Sequence, residues 1–153
     1  MAFRLESPEF KHGESIPKKF TCDGPDISPA LRWSDVPAGT RSFALICDDP
    51  DAPMMPWVHW VIYNIPGDRI GMSENVPKQS LLPDGTKQGT NSWRKTGYGG
   101  PCPPGKKPHR YFFKLMALDT TVQIPAGASK EELLGAVRDH VLGEAELLGL
   151  YVR

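Results

Sequence analysis

The sequence predicts a mostly β protein whose central strands lie in the middle of a sandwich, with one short helix in the C-terminal region. Three segments are apolar on both faces, namely 41–49, 57–65 and 109–119. Strands of this kind are covered on both sides, as they are between the layers of a sandwich. Proline (16) and glycine (15) are spread along the chain, which favours many turns between short strands.

Shorter elements flank these three strands. The extreme N-terminus and Leu31–Trp33 are expected to supply short edge strands, and 145–153 a last strand. Ser129 followed by Glu132 forms a capping-box pattern at the start of a helix. An apolar stripe at helical spacing follows, and Gly143 is the expected stop. The stripe consists of Leu133, Val137 and Val141, with Leu134 beside it.

The bulk composition limits the possible functions. A chain of 153 residues fits one domain, 1–153, with one core. The 18 basic residues equal the 18 acidic ones, which argues against a broad nucleic-acid surface. No apolar run reaches the length of about 18 residues expected of a membrane span, and no secretory signal is visible. The three cysteines lack a paired spacing, which predicts no disulfide and a reducing cytoplasm.

Two histidines lie near the starts of two predicted strands. Strand alternation puts Trp57, His59, Val61 and Tyr63 on one face of the first, and His109, Tyr111, Phe113 and Leu115 on one face of the second. In an antiparallel sheet these strand starts can meet the end of 41–49, where Asp49 lies. Asp49, His59, His109 and Tyr111 are therefore expected to form one polar cluster in an apolar cup.

Such a cluster suits a small anion. Protonated His and Tyr O–H donate hydrogen bonds, and a neighbouring carboxylate raises the pKa of a His and fixes its tautomer. The glycines of 96–105 are expected to bring backbone N–H groups to the same anion. The basic residues Lys106, Lys107 and Arg110 lie beside this region and could steer a phosphate.

Other interpretations of these residues remain open. A His within a strand is often a hydrogen-bonded core residue. Two His and an Asp could bind a metal, although no compact ligand motif is present. Cys102 and His109 could act as a nucleophile and a base, but no local signature supports this. No cofactor or metal is predicted, and no catalytic residue is assigned.

The motifs resemble those of the phosphatidylethanolamine-binding protein family. The stretches that carry the resemblance are "DDPDAP" (48–53), "WVHW" (57–60) and "GYGGPCPPGKKPHRYFFKLMALD" (97–119). They are most similar to the bacterial and archaeal branch, often labelled Raf kinase inhibitor-like. "CDGPDISPALRWSDVPAGTRSFALI" (22–46) and the C-terminal "AELLGLY" resemble the same branch, so the resemblance covers nearly the whole chain.

This resemblance implies a sandwich of two antiparallel sheets with a small pocket that binds phosphate-like anions or phospholipid head groups. The residues carried over to the pocket are Asp49, Asp51, His59, Pro103 or its neighbour Pro104, His109 and Tyr111. It also implies a cis bond at Ala52–Pro53, and Met55–Pro56 is a second candidate. Asp49 is expected to face the pocket, Asp51 to brace the proline turn, and Asp48 to be a solvated charge.

Three functions follow as hypotheses. The first is a cytoplasmic, non-enzymatic protein that binds a phosphate-bearing small molecule or lipid head group, with a possible regulatory role. The second is a kinase or protease inhibitor acting through a surface loop, and the third a weak hydrolase with a His as general base. A monomer and a homodimer are both open.

Overall fold

Two β-sheets of unequal size form a sandwich, as predicted. The structure is a computed structural model that describes residues 2–153. The small sheet has the strand order β1-β3-β6 and the large sheet the order β2-β9-β8-β4-β5-β7. The elements are β1 (Arg4–Glu6), β2 (Glu14–Ser15), β3 (Leu31–Ser34), β4 (Ser42–Asp49), β5 (Trp57–Pro66), β6 (Gly71–Met72), β7 (Lys87–Gln88), β8 (His109–Leu118), α1 (Lys130–Val137) and β9 (Val141–Tyr151), with a 3₁₀ turn at Lys18–Phe20.

The three long predicted strands are confirmed as the centre of the large sheet. β4 lies between β5 and β8 and is antiparallel to both, and every residue of β4 is buried. One face of the sheet packs on the small sheet, where the Trp33 and Phe43 rings lie 5.1 Å apart. The opposite face packs on α1, through Leu133 and Val137. The apolar pattern on both faces therefore results from burial on both sides.

Three details of the strands differ from expectation. β3 is the centre of the small sheet, between β1 and β6, and is not an edge strand. The pair of β2 with β9 is parallel, whereas the other strand pairs among residues 2–153 are antiparallel. β9 also begins at Val141, four positions before the predicted start.

The helix begins as predicted and ends earlier. The Ser129 side chain accepts a bond from the Glu132 backbone N–H, and the Glu132 carboxylate accepts one from the Ser129 N–H. The helix ends at Val137, and Gly143 lies within β9, so the predicted stop at Gly143 is wrong. The reason is that the apolar stripe continues into the next strand, where Val141 packs on the same cluster in a different backbone conformation.

The acidic residue at the end of β4 is part of the packing between sheet and helix. The Asp48 carboxylate accepts a 2.6 Å bond from Lys130 Nζ at the start of α1. The Asp48 side chain is only 9% exposed. The expectation of a solvated charge is therefore wrong, because the helix covers this face of the sheet.

The prolines of the 50–56 loop are all joined by trans bonds. There is no cis peptide bond among residues 2–153, so the predicted cis bonds at Ala52–Pro53 and Met55–Pro56 are wrong in this structure. The chain reverses here through Met54, whose φ of 74° lies in the left-handed region. Also within residues 2–153, no helix is long and apolar enough to cross a membrane.

Candidate functional site

A cavity of about 290 Å³ lies where β4 ends and β5 and β8 begin. The predicted site residues that line it are Asp49, His59, Pro103, His109 and Tyr111, together with Pro104. The sixth predicted residue, Asp51, does not line it. The sheet topology thus brings together side chains that are up to 62 positions apart in the chain (Asp49 to Tyr111). The antiparallel order of β5, β4 and β8 is the cause, because the end of β4 meets the starts of both neighbours.

A β-bulge turns His59 toward this cavity. In the β4–β5 pair Asp48 faces Val58 and Cys47 faces Trp60, so His59 is the extra residue on its strand. Beyond the bulge, Trp60 packs between the sheets while Val61 packs on the helix side. The predicted common face of His59, Val61 and Tyr63 is therefore wrong. Bulges redirect side chains and are frequent beside functional sites.

The β8 alternation is confirmed and places His109 and Tyr111 side by side on the inner face. Both residues are buried, and Arg110 between them points outward. His109 Nδ1 lies 2.6 Å from Asp49 Oδ2, in a buried pair. A carboxylate can only accept here, so Nδ1 carries a proton and Nε2 is the ring nitrogen left for a ligand. This contact is the Asp–His pair expected from the sequence.

His59 makes a different bond. Its Nδ1 lies 2.7 Å from the carbonyl oxygen of Gly99, and its ring is 5.1 Å from that of Tyr111 in an edge-on arrangement. Burial lowers the pKa of His59, although the Gly99 carbonyl and the charge on Asp49 act in the opposite direction. His59 is therefore favoured as a neutral imidazole with its proton on Nδ1. The protonated donor expected from the sequence is not the favoured form of this residue.

Two hydrogen-bond donors beside the cavity have no partner within residues 2–153. Trp57 Nε1 and the Tyr111 hydroxyl are buried and have no hydrogen-bond partner in good geometry, although the Asp49 carboxylate lies near the Tyr111 hydroxyl. Burial, and then the charge on Asp49, raise the pKa of Tyr111 well above its usual range, so the hydroxyl keeps its proton. Most buried polar atoms in proteins are hydrogen-bonded, so two such donors on residues that line one cavity require an explanation.

Asp51 lies outside the cavity and joins the 50–56 loop to β8. Its Oδ2 accepts bonds of 2.9 Å from the backbone N and from Nε of Arg110, and its Oδ1 accepts one of 2.9 Å from Nη2. The proline turn is instead braced by Asp49, whose Oδ1 accepts a 2.7 Å bond from the Asp51 N–H. The predicted placement of Asp51 in the pocket is therefore wrong, because Arg110 draws its carboxylate outward.

Three backbone N–H groups of the glycine-rich segment 96–105 bond to acceptors within the protein. Gly99 N–H donates to the His59 carbonyl at 2.9 Å, and Gly100 N–H donates to Asp26 Oδ1 at 2.7 Å. The Gly97 amide bonds to the Gly89 carbonyl. The expectation that these N–H groups approach an anion is wrong for all three, because each already has an acceptor within the protein.

A disulfide fastens the loop that carries Pro103 and Pro104. Cys22 and Cys102 are joined, and the Cys22 N–H donates to the Pro101 carbonyl at 3.1 Å. The sequence-based prediction of no disulfide is therefore wrong, since the fold brings together two cysteines 80 positions apart. The alternative in which Cys102 is a nucleophile is wrong in this oxidised state. Bonds of this kind persist mainly in oxidising compartments, with hyperthermophile proteins as an exception.

The aromatic wall of the cavity was not predicted from the sequence. Trp93 lines the cavity, with its ring 5.0 Å from that of His59 and 5.6 Å from that of Trp57. Nothing in the irregular 66–108 segment distinguishes Trp93 from a surface residue. Only the structure shows the link to Gly99, where a Cβ would collide with the Trp93 ring.

Two larger grooves are weaker candidates for a functional site. A groove of about 490 Å³ beside α1 contains the Asp48–Lys130 pair, in which both charges are already matched. Another of about 570 Å³ near the N-terminus includes His12, whose Nδ1 accepts from the Leu148 N–H. Neither is lined by a residue that holds an unpartnered buried donor. The smaller cavity with its two imidazoles is therefore the candidate site.

A β-sandwich with a small His-, Tyr- and Pro-lined cavity at one end of its central strands defines the class of this protein. Residues 6–152 match the family model described as phosphatidylethanolamine-binding protein. The chain belongs to this family, as the motifs of the sequence indicated.

Similar proteins occur in archaea and bacteria. A UPF0098 protein of Methanothermobacter thermautotrophicus is 55% identical over 149 residues, which cover 97% of this chain and 98% of the relative. A crystal structure of Escherichia coli YbcL, described as a new member of the mammalian family, aligns with a TM-score of 0.92 at 35% identity, covering 100% of this chain and 99% of the other. A family homologue from Chlamydia trachomatis aligns with a TM-score of 0.91 at 38% identity, covering 99% and 98%.

Proposed function

We propose that the cavity beside β4, β5 and β8 binds a small phosphate-bearing anion, either free or as the head group of a lipid. The observation that carries this proposal is the grouping of two imidazoles and two buried, unpartnered donors around one cavity. The imidazoles are those of His59 and His109, and the donors are Tyr111 O–H and Trp57 N–H. Phosphate oxygens are strong acceptors that would satisfy such donors.

The cavity suits an anion that both accepts and donates hydrogen bonds. His59 is favoured as a neutral ring because burial lowers its pKa, so its Nε2 accepts. Tyr111 keeps its proton and donates. A monohydrogen phosphate or a phosphate linked to an ammonium group carries both acceptor oxygens and a proton for Nε2. The aromatic wall of Trp57 and Trp93 provides a face on which the ligand's organic part or ammonium group can pack.

The test is a calorimetric titration of inorganic phosphate and of phosphorylethanolamine. We expect wild type to bind, and His59→Ala and His109→Ala to lose affinity by roughly 10-fold or more, as expected for a charge-assisted bond of about 1.5–3 kcal/mol. His140→Ala is the matched control, because His140 pairs with Asp119 and lines no described part of the cavity. Equal affinity in all four proteins would reject the proposal. Phosphorylethanolamine binding without phosphate binding would indicate the head group as the ligand.

A regulatory role through protein contact is a second candidate, favoured by the exposed loop at the cavity rim. Met54 is 105% exposed and Met55 62% exposed, and they follow Pro53, which lines the cavity. Inhibition of a panel of kinases and proteases by wild type would support this role if Met54→Ser/Met55→Ser reduced it. If only His59→Ala reduced it, inhibition would depend on the anion site instead. The anion-binding proposal does not depend on a kinase or protease partner, on a cytoplasmic location or on a homodimer.

A further inference from the structure

The imidazole of His59 bonds to the peptide group between Gly99 and Gly100. Its Nδ1 lies 2.7 Å from the carbonyl oxygen of Gly99, and the N–H of Gly100 donates to Asp26 Oδ1 at 2.7 Å. The Gly99 C=O and the Gly100 N–H belong to the same peptide bond. A continuous chain of hydrogen bonds therefore runs from the Asp26 carboxylate through this peptide to His59. Hydrogen bonds in such a chain polarise one another.

The geometry of this chain is fixed from several sides. Asp26 has a φ of 59°, a left-handed conformation that Asp and Asn tolerate better than most residues. Its backbone carbonyl accepts a 3.1 Å bond from Lys78 Nζ. A Cβ at Gly100 would collide with the Phe20 carbonyl and with Asp26 Oδ1. The close approach of carboxylate and peptide therefore requires glycine at position 100.

His59 and Gly99 also bond reciprocally. The Gly99 N–H donates to the His59 carbonyl at 2.9 Å, while the His59 ring bonds back to the Gly99 carbonyl. Because a carbonyl only accepts, the His59 proton is held on Nδ1. This leaves Nε2 as the nitrogen for a ligand, as on His109, whose Nδ1 bonds directly to Asp49. Both imidazoles thus leave Nε2 for a ligand. His109 is bonded to a carboxylate directly, and His59 is linked to one through a peptide group.

We propose that Asp26 is a positioning residue of the anion site, which acts through the Gly99–Gly100 peptide to hold His59 in the Nδ1–H tautomer. At metal-ligating histidines, a carboxylate that orients the far ring nitrogen is a common supporting contact, and its loss typically costs 10–100-fold in metal affinity or activity. The role in ligand binding rests on the proposed function of the cavity. The tautomer of His59 is independent of that function, since it is a property of the free protein.

The experiment compares two substitutions that share a backbone preference. Asp26→Asn keeps an oxygen acceptor for the Gly100 N–H and tolerates the left-handed conformation, but it removes the charge. Asp26→Gly tolerates the same φ and removes the acceptor as well. Asp35 is the matched control, because it has a φ of 55° and does not line the cavity. Asp35→Asn and Asp35→Gly repeat both changes there.

The main readout is the ¹⁵N spectrum of the His59 ring in the ligand-free protein, followed through a pH titration. Asp26 and Asp49 are the charged groups whose fields act on this ring. We expect the Nδ1–H tautomer in wild type and in Asp26→Asn, with a lower His59 pKa in the latter. In Asp26→Gly we expect a mixture of tautomers. The Asp35 variants should match wild type.

The second readout is the affinity for inorganic phosphate. We expect a loss of roughly 10-fold or more in Asp26→Gly and a smaller loss in Asp26→Asn. An unchanged His59 tautomer and pKa in both Asp26 variants would overturn the proposal. If Asp26→Gly fails to fold, the His59 pKa in Asp26→Asn decides. If wild type binds no phosphate, the proposed function fails, while the tautomer still tests the part played by Asp26.

Discussion

The Cys22–Cys102 disulfide is expected to make a large contribution to stability. It closes a loop with a sequence separation of 80 residues. Cross-linking a loop of this length removes about 15 cal/mol/K of entropy from the unfolded chain, which corresponds to about 4.5 kcal/mol at 25 °C. For 153 residues, an unfolding entropy of about 0.32 kcal/mol/K converts this into a loss of roughly 14 °C in melting temperature.

The assay is urea and thermal unfolding of the oxidised protein, the reduced protein and Cys22→Ser/Cys102→Ser. We expect the reduced protein and the double variant to be destabilised by similar amounts, close to the values above. The reductant should not affect the double variant, which serves as the control. Thiol titration of the unfolded protein checks the premise, because Cys47 is the one free cysteine within residues 2–153 and should react alone before reduction.

Two results would refute this reasoning. Three reactive thiols before reduction would show that the bond does not form. A loss of less than about 1 kcal/mol on reduction would show that the unfolded chain gains little freedom when the loop opens, contrary to the entropic account. In the expected case, reduction should also weaken phosphate binding, because the disulfide fastens the loop that carries Pro103 and Pro104 at the cavity.

Three further predictions follow. Ser129→Ala removes a capping box and should lower the free energy of unfolding in urea by about 1 kcal/mol; no change would mean that this cap contributes nothing. Lys130→Met leaves the nearly buried Asp48 charge without its partner and should cost about 2–3 kcal/mol, below the roughly 3–5 kcal/mol of a fully buried pair because Lys130 is 24% exposed. Adding Asp48→Asn should largely restore the stability, and a larger loss in the double variant would contradict this. Arg110 lowers the pKa of Asp51 below 3.8, so the pair stabilises the fold above about pH 4, and the stability gap between wild type and Asp51→Asn should close as the pH falls through the folded pKa. A gap that is independent of pH would disprove this origin.

The three central strands and their burial on both faces were predictable because the apolar pattern is local in the sequence. β4, β5 and β8 are apolar on both faces, and the structure confirms all three within a residue or two. The capping box at Ser129 is similarly local and confirmed. The end of α1 was not predictable in the same way, since the apolar spacing of Val141 fits a continuing helix as well as the start of a strand. Only the packing of β9 against β8 distinguishes the two.

The contacts of the site depend on long-range geometry that a single sequence does not display. The Asp49–His109 pair was expected because both residues lie at strand ends that an antiparallel sheet brings together. The Cys22–Cys102 bond and the Gly100–Asp26 contact join loops 80 and 74 positions apart. No periodicity connects such loops, so composition suggested reduced cysteines and free glycine amides, and both interpretations were wrong.

The bulge at His59 explains why strand alternation predicted the right residue for the cavity but the wrong neighbours. A regular strand would place Val61 beside His59 on one face, and Val61 in fact packs on the helix side. The extra residue lets the strand keep Trp60 and Ile62 in the core between the sheets while His59 also turns to that side. A buried imidazole next to large aromatic residues would normally be a core His, satisfied through one nitrogen. Here Nδ1 is bonded to the Gly99 carbonyl, which leaves Nε2 for the proposed anion. The contact that satisfies His59 as a core residue would also orient it for binding.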